Sequence, residues 1–218
     1  MLVKKIRYNS PVVLTFVILS LLALGLNRLT NGESNRLVFS VYNSSWLDPL
    51  TYLRLFCHPL GHMNWAHLSS NMMLLLLTGP MLEEKYGSLR LFLIMLITAV
   101  ITGFIQMLFF DTALLGASGI VFAFIILCSM TGLERGGIPL TFLIITGIYL
   151  GGEIYAAVTI KDNISQITHI AGGLVGAISG FAFLPKKAKL PSAPEIPVTE
   201  TLVPKEPEVI SFPTEQLN

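Results

Sequence analysis

The chain has 218 residues, of which 53% are hydrophobic and only 12% are charged, and its formal net charge is +1. A soluble domain of this size cannot hide so much apolar surface from water, so the composition favours a membrane protein. The near-zero net charge gives no indication of nucleic-acid binding. Cys57 and Cys128 have neither the spacing of metal ligands nor that of a disulfide framework.

Long uncharged windows recur along the chain, and a helix needs about 20 apolar residues to cross the hydrocarbon core of a bilayer. The windows predict an all-α bundle of six membrane-spanning helices, at about residues 10–28, 64–82, 90–110, 114–133, 138–158 and 167–184. The first window has no good small-residue cleavage site after it, so it is interpreted as a retained helix and not as a signal peptide.

These windows divide the chain into a cytoplasmic N-terminus at 1–9, a membrane domain at 10–185 and a disordered, Pro-rich cytoplasmic tail at 186–218. With the N-terminus inside, nine Lys and Arg residues close to the ends of the spans fall in inner segments and four fall in outer segments. This excess predicts that both termini face the cytoplasm. The minimal six-span plan favours the plasma membrane of a bacterium.

The connection between the first two predicted spans is much longer than the others. It carries Trp46, Tyr52 and Phe56 among prolines and polar residues, a mixture that suits the membrane interface. Loops of this length in a compact domain are often functional, and a poorly ordered connector is the equally simple alternative.

The predicted topology brings four polar side chains to one depth, because spans two, four and six all begin at the outer face. His67 and Asn71 lie early in span two, Ser118 early in span four and His169 early in span six. Ionisable groups at membrane depth are costly unless they face the bundle interior or a wet cavity. Their convergence indicates a polar site just inside the outer face.

Small residues surround this predicted site. Ser118 lies between Ala117 and Gly119, and His169 begins a stripe at helical spacing that continues through Gly172, Gly176 and Gly180. Such a stripe allows another helix to approach closely. If that helix is span four, Ser118 and His169 come within hydrogen-bond reach.

A serine and a histidine in a desolvated cleft are suited to acyl transfer. The imidazole takes the serine proton as the hydroxyl attacks a carbonyl, and then returns it to the leaving amine. The developing oxyanion needs donors, and His67, Asn71 and the backbone N–H of Ser118 are available at that depth. Each residue alone is weaker evidence, since a lone serine in a spanning helix is more often a packing residue.

Three other interpretations stay open from the residues. A zinc site from His58, His62 and His67 is disfavoured, because Pro59 breaks the helix that would present the first pair. A proton-coupled transporter would use histidines with Glu153, but it leaves the glycines beside the serine unexplained. Glu153 either orients His169 or, as we favour, extends to the outer interface.

Taken together, these residues resemble the rhomboid intramembrane serine proteases over about residues 10–185. The resemblance rests on five stretches: residues 116–119, the run from His62 through His67 to Asn71, Arg54, residues 83–88 and residues 169–176. It implies Ser118 as the nucleophile, His169 as the general base, and His67, Asn71 and Ser118 as the oxyanion hole. It also implies supporting positions at Gly116, Gly119, Phe122, Gly172, Gly176, Arg54 and Glu83.

The resemblance further implies what some of these positions do. Gly116 would shape the turn into span four, and Arg54 would sit in a partly submerged first loop. Glu83 would be a structural carboxylate near the cytoplasmic end of span two, and His62 a loop residue at the outer face. Two positions depart from the family pattern: Phe122 stands where Tyr is usual, and Leu53 precedes Arg54 where Trp is common.

The function that the resemblance implies is proteolysis of membrane-protein substrates within the lipid bilayer, near its outer face. It calls for no cofactor, no metal and no nucleic acid. A catalytically silent scaffold that binds membrane proteins is the main alternative. A binding scaffold has no physical need for a paired nucleophile and base, so the presence of Ser118 and His169 argues against it.

Overall fold

The computed structural model describes the backbone of residues 8–130, 138–159 and 164–183, and the side chains of these residues except 149–150 and 152–165. Within these ranges the chain forms seven α-helices: α1 (Pro11–Leu29), α2 (Pro49–Cys57), α3 (Trp65–Tyr86), α4 (Ser88–Phe109), α5 (Ser118–Ser129), α6 (Leu140–Thr159) and α7 (Ile164–Ala182). All described residues belong to one compact unit, Met1–Lys186. The predicted tail at 186–218 lies outside the described residues.

Six of these helices correspond to the predicted spans, and α2 lies in the long first connection. Helices α1, α3, α4, α6 and α7 have 19 to 22 residues, which corresponds to about 28–33 Å of length. Among the described residues, α1 and α4 satisfy a combined length and hydropathy criterion for a membrane span. Helix α5 has only 12 residues.

The polarity of the helical surfaces is the reverse of that in a soluble protein. Apolar side chains at helical spacing are exposed on the outside, such as Leu174 and Ile178 of α7. Polar side chains are buried between helices instead, including Ser20 of α1 and Thr98 and Gln106 of α4. A bundle with this arrangement is stable when its surroundings are lipid.

Local sequence explains where several helices begin and end. Pro11 begins α1, and the Asp48 carboxylate caps α2 by accepting a hydrogen bond from the backbone N–H of Leu50 at 3.0 Å. Asn64 caps α3 in the same way, since its side-chain oxygen accepts from His67 N at 2.9 Å. Gly87 joins α3 to α4 with a φ of +82°, a conformation that favours glycine.

Glu83 ties the start of α1 to the end of α3. Its carboxylate accepts hydrogen bonds from the backbone N–H groups of Val12 and Val13 at 3.0 and 3.1 Å, and from the Ser88 hydroxyl at 2.7 Å. The first N–H groups of a helix have no partner within the helix, so this buried carboxylate caps α1 from its neighbour.

The long first connection is a folded element and not a poorly ordered connector. It contains a π-helical turn at Asn35–Phe39, helix α2 and a 3-10 turn at His58–Leu60. Arg54 of α2 is buried and fastens these parts together. Its guanidinium donates to Leu37 O at 3.0 Å, pairs with Asp48 at 3.1 Å and lies 4.7 Å from the centroid of the Tyr42 ring.

Candidate active site

Helix α5 begins at Ser118, four residues later than the predicted span at 114–133. The preceding segment is extended because Val41 and Leu114 pair as an antiparallel bridge, with N–H to O distances of 2.9 and 2.8 Å. Gly116 has a φ of +118°, which is incompatible with a continuous right-handed helix. The hydropathy pattern alone was therefore wrong about the start of this helix.

Gly116 also lets two predicted site residues approach the chain just before Ser118. A Cβ atom at this position would lie 2.8 Å from both Cε1 and Nε2 of His67, and 3.8 Å from Nδ2 of Asn71. The backbone N–H of Gly116 donates to His58 O at 3.0 Å, which fixes the turn. Only glycine combines this backbone conformation with this contact.

The glycine stripe of α7 packs directly against α5. A Cβ atom at Gly172 would overlap the carbonyl oxygen of Gly119, and one at Gly176 would overlap the carbonyl oxygen of Ala123. The two backbones therefore touch along this face. Since Gly119 follows Ser118 and Gly172 lies one turn after His169, this contact brings the ends of the two helices together.

An open cavity of about 570 Å³ lies between α3, α5 and α7. Its walls include all four polar residues that the sequence predicted at one depth: His67, Asn71, Ser118 and His169. Phe122, one turn after Ser118, stacks on the His169 imidazole with ring centroids 4.4 Å apart and planes 8° apart. The phenyl ring thus supports the imidazole without the hydroxyl that a tyrosine would add.

His62 lies in the loop before α3, and its side chain is buried against the cavity residues Asn71 and His67. It is fully buried, and its Nε2 lies 3.2 Å from Nδ2 of Asn71 while its Nδ1 lies 3.1 Å from Leu60 O. Its ring meets the His67 ring edge-on at a centroid distance of 4.9 Å. Burial lowers the pKa of His62 to about 4, with a smaller contribution from His67.

A second polar cluster behind Ser118 was missed by the sequence reasoning. His58 is fully buried, with its Nε2 3.4 Å from the Thr102 hydroxyl and its Nδ1 3.2 Å from Leu55 O, and burial lowers its pKa to about 4. These two residues and Ser118 line a void of about 10 Å³, close to the size of one water molecule. The i, i+4 repeat of Thr98, Thr102 and Gln106 in an apolar helix was the available signal.

Other predicted positions lie away from the cavity. Arg54 and Glu83 hold the first connection and the start of α1, as described above. Within the described ranges, no three His, Cys, Asp or Glu side chains are grouped so that they could hold a metal, so His58, His62 and His67 do not form the zinc site considered above. The side chain of Glu153 lies outside the described residues.

The apolar exterior and the polar cavity between three helices define a helical membrane protein. A family model described as the Rhomboid domain matches residues 49–186. The chain belongs to the rhomboid family. This match includes α2, the cavity residues and α7, and ends just after the last described residue.

Three similar proteins illustrate the relationship. The chain is 27% identical over 133 residues to "Rhomboid protease GlpG" of Haemophilus influenzae, covering 59% of this chain and 68% of that protein. It is 28% identical over 139 residues to "Rhomboid-like protein 11, chloroplastic" of Arabidopsis thaliana, with 56% and 48% covered. It is 28% identical over 149 residues to "Rhomboid protease GlpG" of Serratia proteamaculans, with 65% and 53% covered. The chain thus spans about half the length of the last two.

Proposed function

We propose that the protein is an intramembrane serine endopeptidase that cleaves transmembrane or juxtamembrane segments of other membrane proteins. The observation that carries this proposal is the shared cavity. Ser118, the first residue of α5, and His169 both line it, and Phe122 stacks on the His169 ring. Relatives named as rhomboid proteases support peptidase activity at the level of the family.

In the first half of the reaction, Ser118 Oγ attacks the carbonyl carbon of the scissile peptide while His169 accepts the hydroxyl proton. The tetrahedral intermediate collapses, the C–N bond breaks, and His169 gives the proton to the leaving amine. A water molecule then attacks the Ser118 ester with His169 again accepting a proton. This step releases the carboxylate product and restores the Ser118 hydroxyl.

The oxyanion of the tetrahedral intermediate has three donor candidates in this cavity. Ser118 is the first residue of α5, and Ala117 at its N-cap has no side chain that could cap the helix, so the backbone N–H of Ser118 has no intrahelical partner. The positive end of the helix dipole favours negative charge at the same place. His67 and Asn71 face the cavity from α3 and supply the side-chain donors.

The substrate has to present an accessible carbonyl group. In a helix each backbone carbonyl is hydrogen-bonded, so the substrate segment must unwind locally before Ser118 can attack it. Small or helix-breaking residues near the cut favour this unwinding. The void lined by His58, Thr102 and Ser118 can hold a water molecule close to the Ser118 ester.

The proposal includes the topology predicted from the sequence. Helices α1, α3, α4, α5, α6 and α7 would be the six spans, with both termini in the cytoplasm of a bacterium and the cavity near the outer face. Five of these helices have the length needed to cross the hydrocarbon core, and α5 has 12 residues. Reaction with membrane-impermeant thiol reagents, after single cysteines are introduced at each end, tests this orientation.

The experiment that tests the nucleophile is labelling of the detergent-solubilised protein with a fluorophosphonate, followed by cleavage of a single-span substrate in liposomes. Ser118→Ala and His169→Ala are expected to lose both labelling and cleavage. Ser70 is the matched control, because its hydroxyl lines the same cavity but already donates to His67 O at 3.0 Å. Ser70→Ala is expected to keep both activities.

Persistent labelling of Ser118→Ala contradicts the nucleophile assignment. If the wild-type protein neither labels nor cleaves but co-purifies with membrane proteins, the silent scaffold becomes the better interpretation. Proton-dependent flux in liposomes without labelling would favour the transporter.

A further inference from the structure

His62 connects the first loop to the Asn71 side chain through both of its ring nitrogens. It lies between the 3-10 turn at His58–Leu60 and the start of α3, and it is fully buried. Nδ1 lies 3.1 Å from Leu60 O, and Nε2 lies 3.2 Å from Nδ2 of Asn71. The imidazole is therefore a rigid link between the backbone of the loop and the side chain of a cavity residue.

The hydrogen-bond partner of Nδ1 determines whether Nε2 is a donor or an acceptor. A carbonyl oxygen only accepts hydrogen bonds, so Nδ1 carries the proton and donates to Leu60 O. A neutral imidazole with a proton on Nδ1 has a lone pair on Nε2. Only the NH2 group of the Asn71 amide can donate to that lone pair, because the amide oxygen would face it with a second lone pair. Burial, which disfavours the charged imidazolium, keeps this ring neutral.

The amide of Asn71 is thereby held in one of its two orientations. One of its two N–H groups is used by His62, and the second is left for a different acceptor. Asn71 lines the cavity together with Ser118, and its Nδ2 lies close to the turn at Gly116 that leads to Ser118. An oxyanion formed at Ser118 is the acceptor that this arrangement suits.

We propose that His62 is a positioning residue that fixes the Asn71 amide with its N–H group toward the oxyanion. The inference rests on the proposed function. His62 does not touch the substrate and acts through Asn71, whose Nδ2 lies 3.2 Å from the His62 Nε2. Without His62 the Asn71 amide is free to flip, and a flipped amide presents its oxygen to the developing negative charge.

This role predicts a loss in kcat and not in KM, because the negative charge on the substrate oxygen develops in the transition state. Removing one oxyanion donor typically lowers kcat by about 10²–10³. A freely rotating amide spends part of its time in the correct orientation, so we expect a smaller loss, about 10- to 100-fold, when the acceptor at Nε2 is removed.

Two isosteric variants separate the two hydrogen bonds of His62. In His62→Gln the amide reaches the position of Nε2, so its oxygen can still accept from Asn71. In His62→Asn the amide reaches only the position of Nδ1, so the bond to Leu60 O is kept and the acceptor for Asn71 is lost. We expect His62→Asn to lower kcat in the cleavage assay at unchanged KM, and His62→Gln to restore most of it.

A double-mutant cycle with Asn71→Ala tests that His62 acts through Asn71. We expect His62→Asn to have no further effect once Asn71 is alanine. If the losses in kcat caused by His62→Asn and Asn71→Ala multiply in the double variant, the inference is overturned. It is also overturned if His62→Asn and His62→Gln lower kcat equally and both lower the unfolding temperature. If His62→Asn does not fold, ring 15N NMR of the wild-type protein decides the matter, with His62→Gln used to assign the signal. A neutral ring with its proton on Nε2 overturns the inference.

Fluorophosphonate labelling distinguishes the two levels of failure. If Ser118→Ala still labels, the proposed function fails and the inference falls with it. If Ser118 labels and cleaves normally in His62→Asn, the proposed function stands and only the inference on His62 is overturned.

Discussion

Substitution of Gly172 by alanine tests whether the backbone contact between α5 and α7 sets the geometry of the site. A Cβ atom at Gly172 would overlap the carbonyl oxygen of Gly119 and would lie 2.8 Å from its carbonyl carbon, whereas ordinary contact begins at 3.4 Å. The carbonyl carbon alone requires the helices to separate by about 0.6 Å, and the oxygen requires more. Since Gly119 follows Ser118, a shift of about 1 Å moves the proposed nucleophile, Ser118, relative to His169.

A misplacement of about 1 Å can cost about 10²-fold in rate, and overpacking typically costs about 1–3 kcal/mol of stability. We therefore expect Gly172→Ala to lower kcat by about two orders of magnitude in the liposome cleavage assay and to lower the unfolding temperature. Gly173 is the matched control in the same helix, because a Cβ atom there meets only Ile126 Cγ1 at 3.5 Å. Wild-type activity and unfolding temperature in Gly172→Ala would refute the reasoning.

Two further predictions concern stability. Glu83→Ala removes the acceptor of two backbone N–H groups of α1 and of the Ser88 hydroxyl, so it should lower the free energy of unfolding in detergent by about 1–3 kcal/mol. Its neighbour Glu84 is exposed, so Glu84→Ala should change this free energy little. Equal losses in the two variants would contradict the capping role. His58 and His62 each have a pKa of about 4 in the folded protein against the usual 6.5, so the unfolded state takes up protons first as the pH falls. Stability should decrease by about 1.4 kcal/mol per pH unit and per histidine between pH 6.5 and 4, and His58→Gln should make this slope shallower; a flat profile in the wild-type protein would contradict it.

The positions of most helices are readable from the sequence because charge is excluded from them. The predicted first span at 10–28 and the observed α1 at Pro11–Leu29 differ by one residue at each end, and the predicted third span at 90–110 differs from α4 by two residues or fewer. Helix α3 continues four residues beyond its predicted end, to Tyr86, because Glu83 and Lys85 lie within its last turn. Charged residues at a helix end shorten an apolar window without ending the helix.

The long first connection was harder to interpret because its contacts are distant in sequence. Arg54 binds Leu37 O across 17 residues, and Val41 pairs with Leu114 across the whole of α3 and α4. The sequence pattern within the loop does not predict contacts between residues so far apart in the chain. The burial of His62 follows from the same folding, since the loop brings the ring against Asn71.

The late start of α5 connects these non-local contacts to the chemistry. In a helix that began at Leu114, as hydropathy predicted, the backbone N–H of Ser118 would bond to the carbonyl of residue 114 and could not bind an oxyanion. Pairing of Leu114 with Val41 and the positive φ of Gly116 stop the helix short and leave that N–H at a helix terminus. The residues that interrupt the apolar window are thus those that leave the Ser118 N–H without an intrahelical partner. The proposed oxyanion hole therefore accounts for an extended segment before the serine, where an uninterrupted helix would satisfy the backbone more simply.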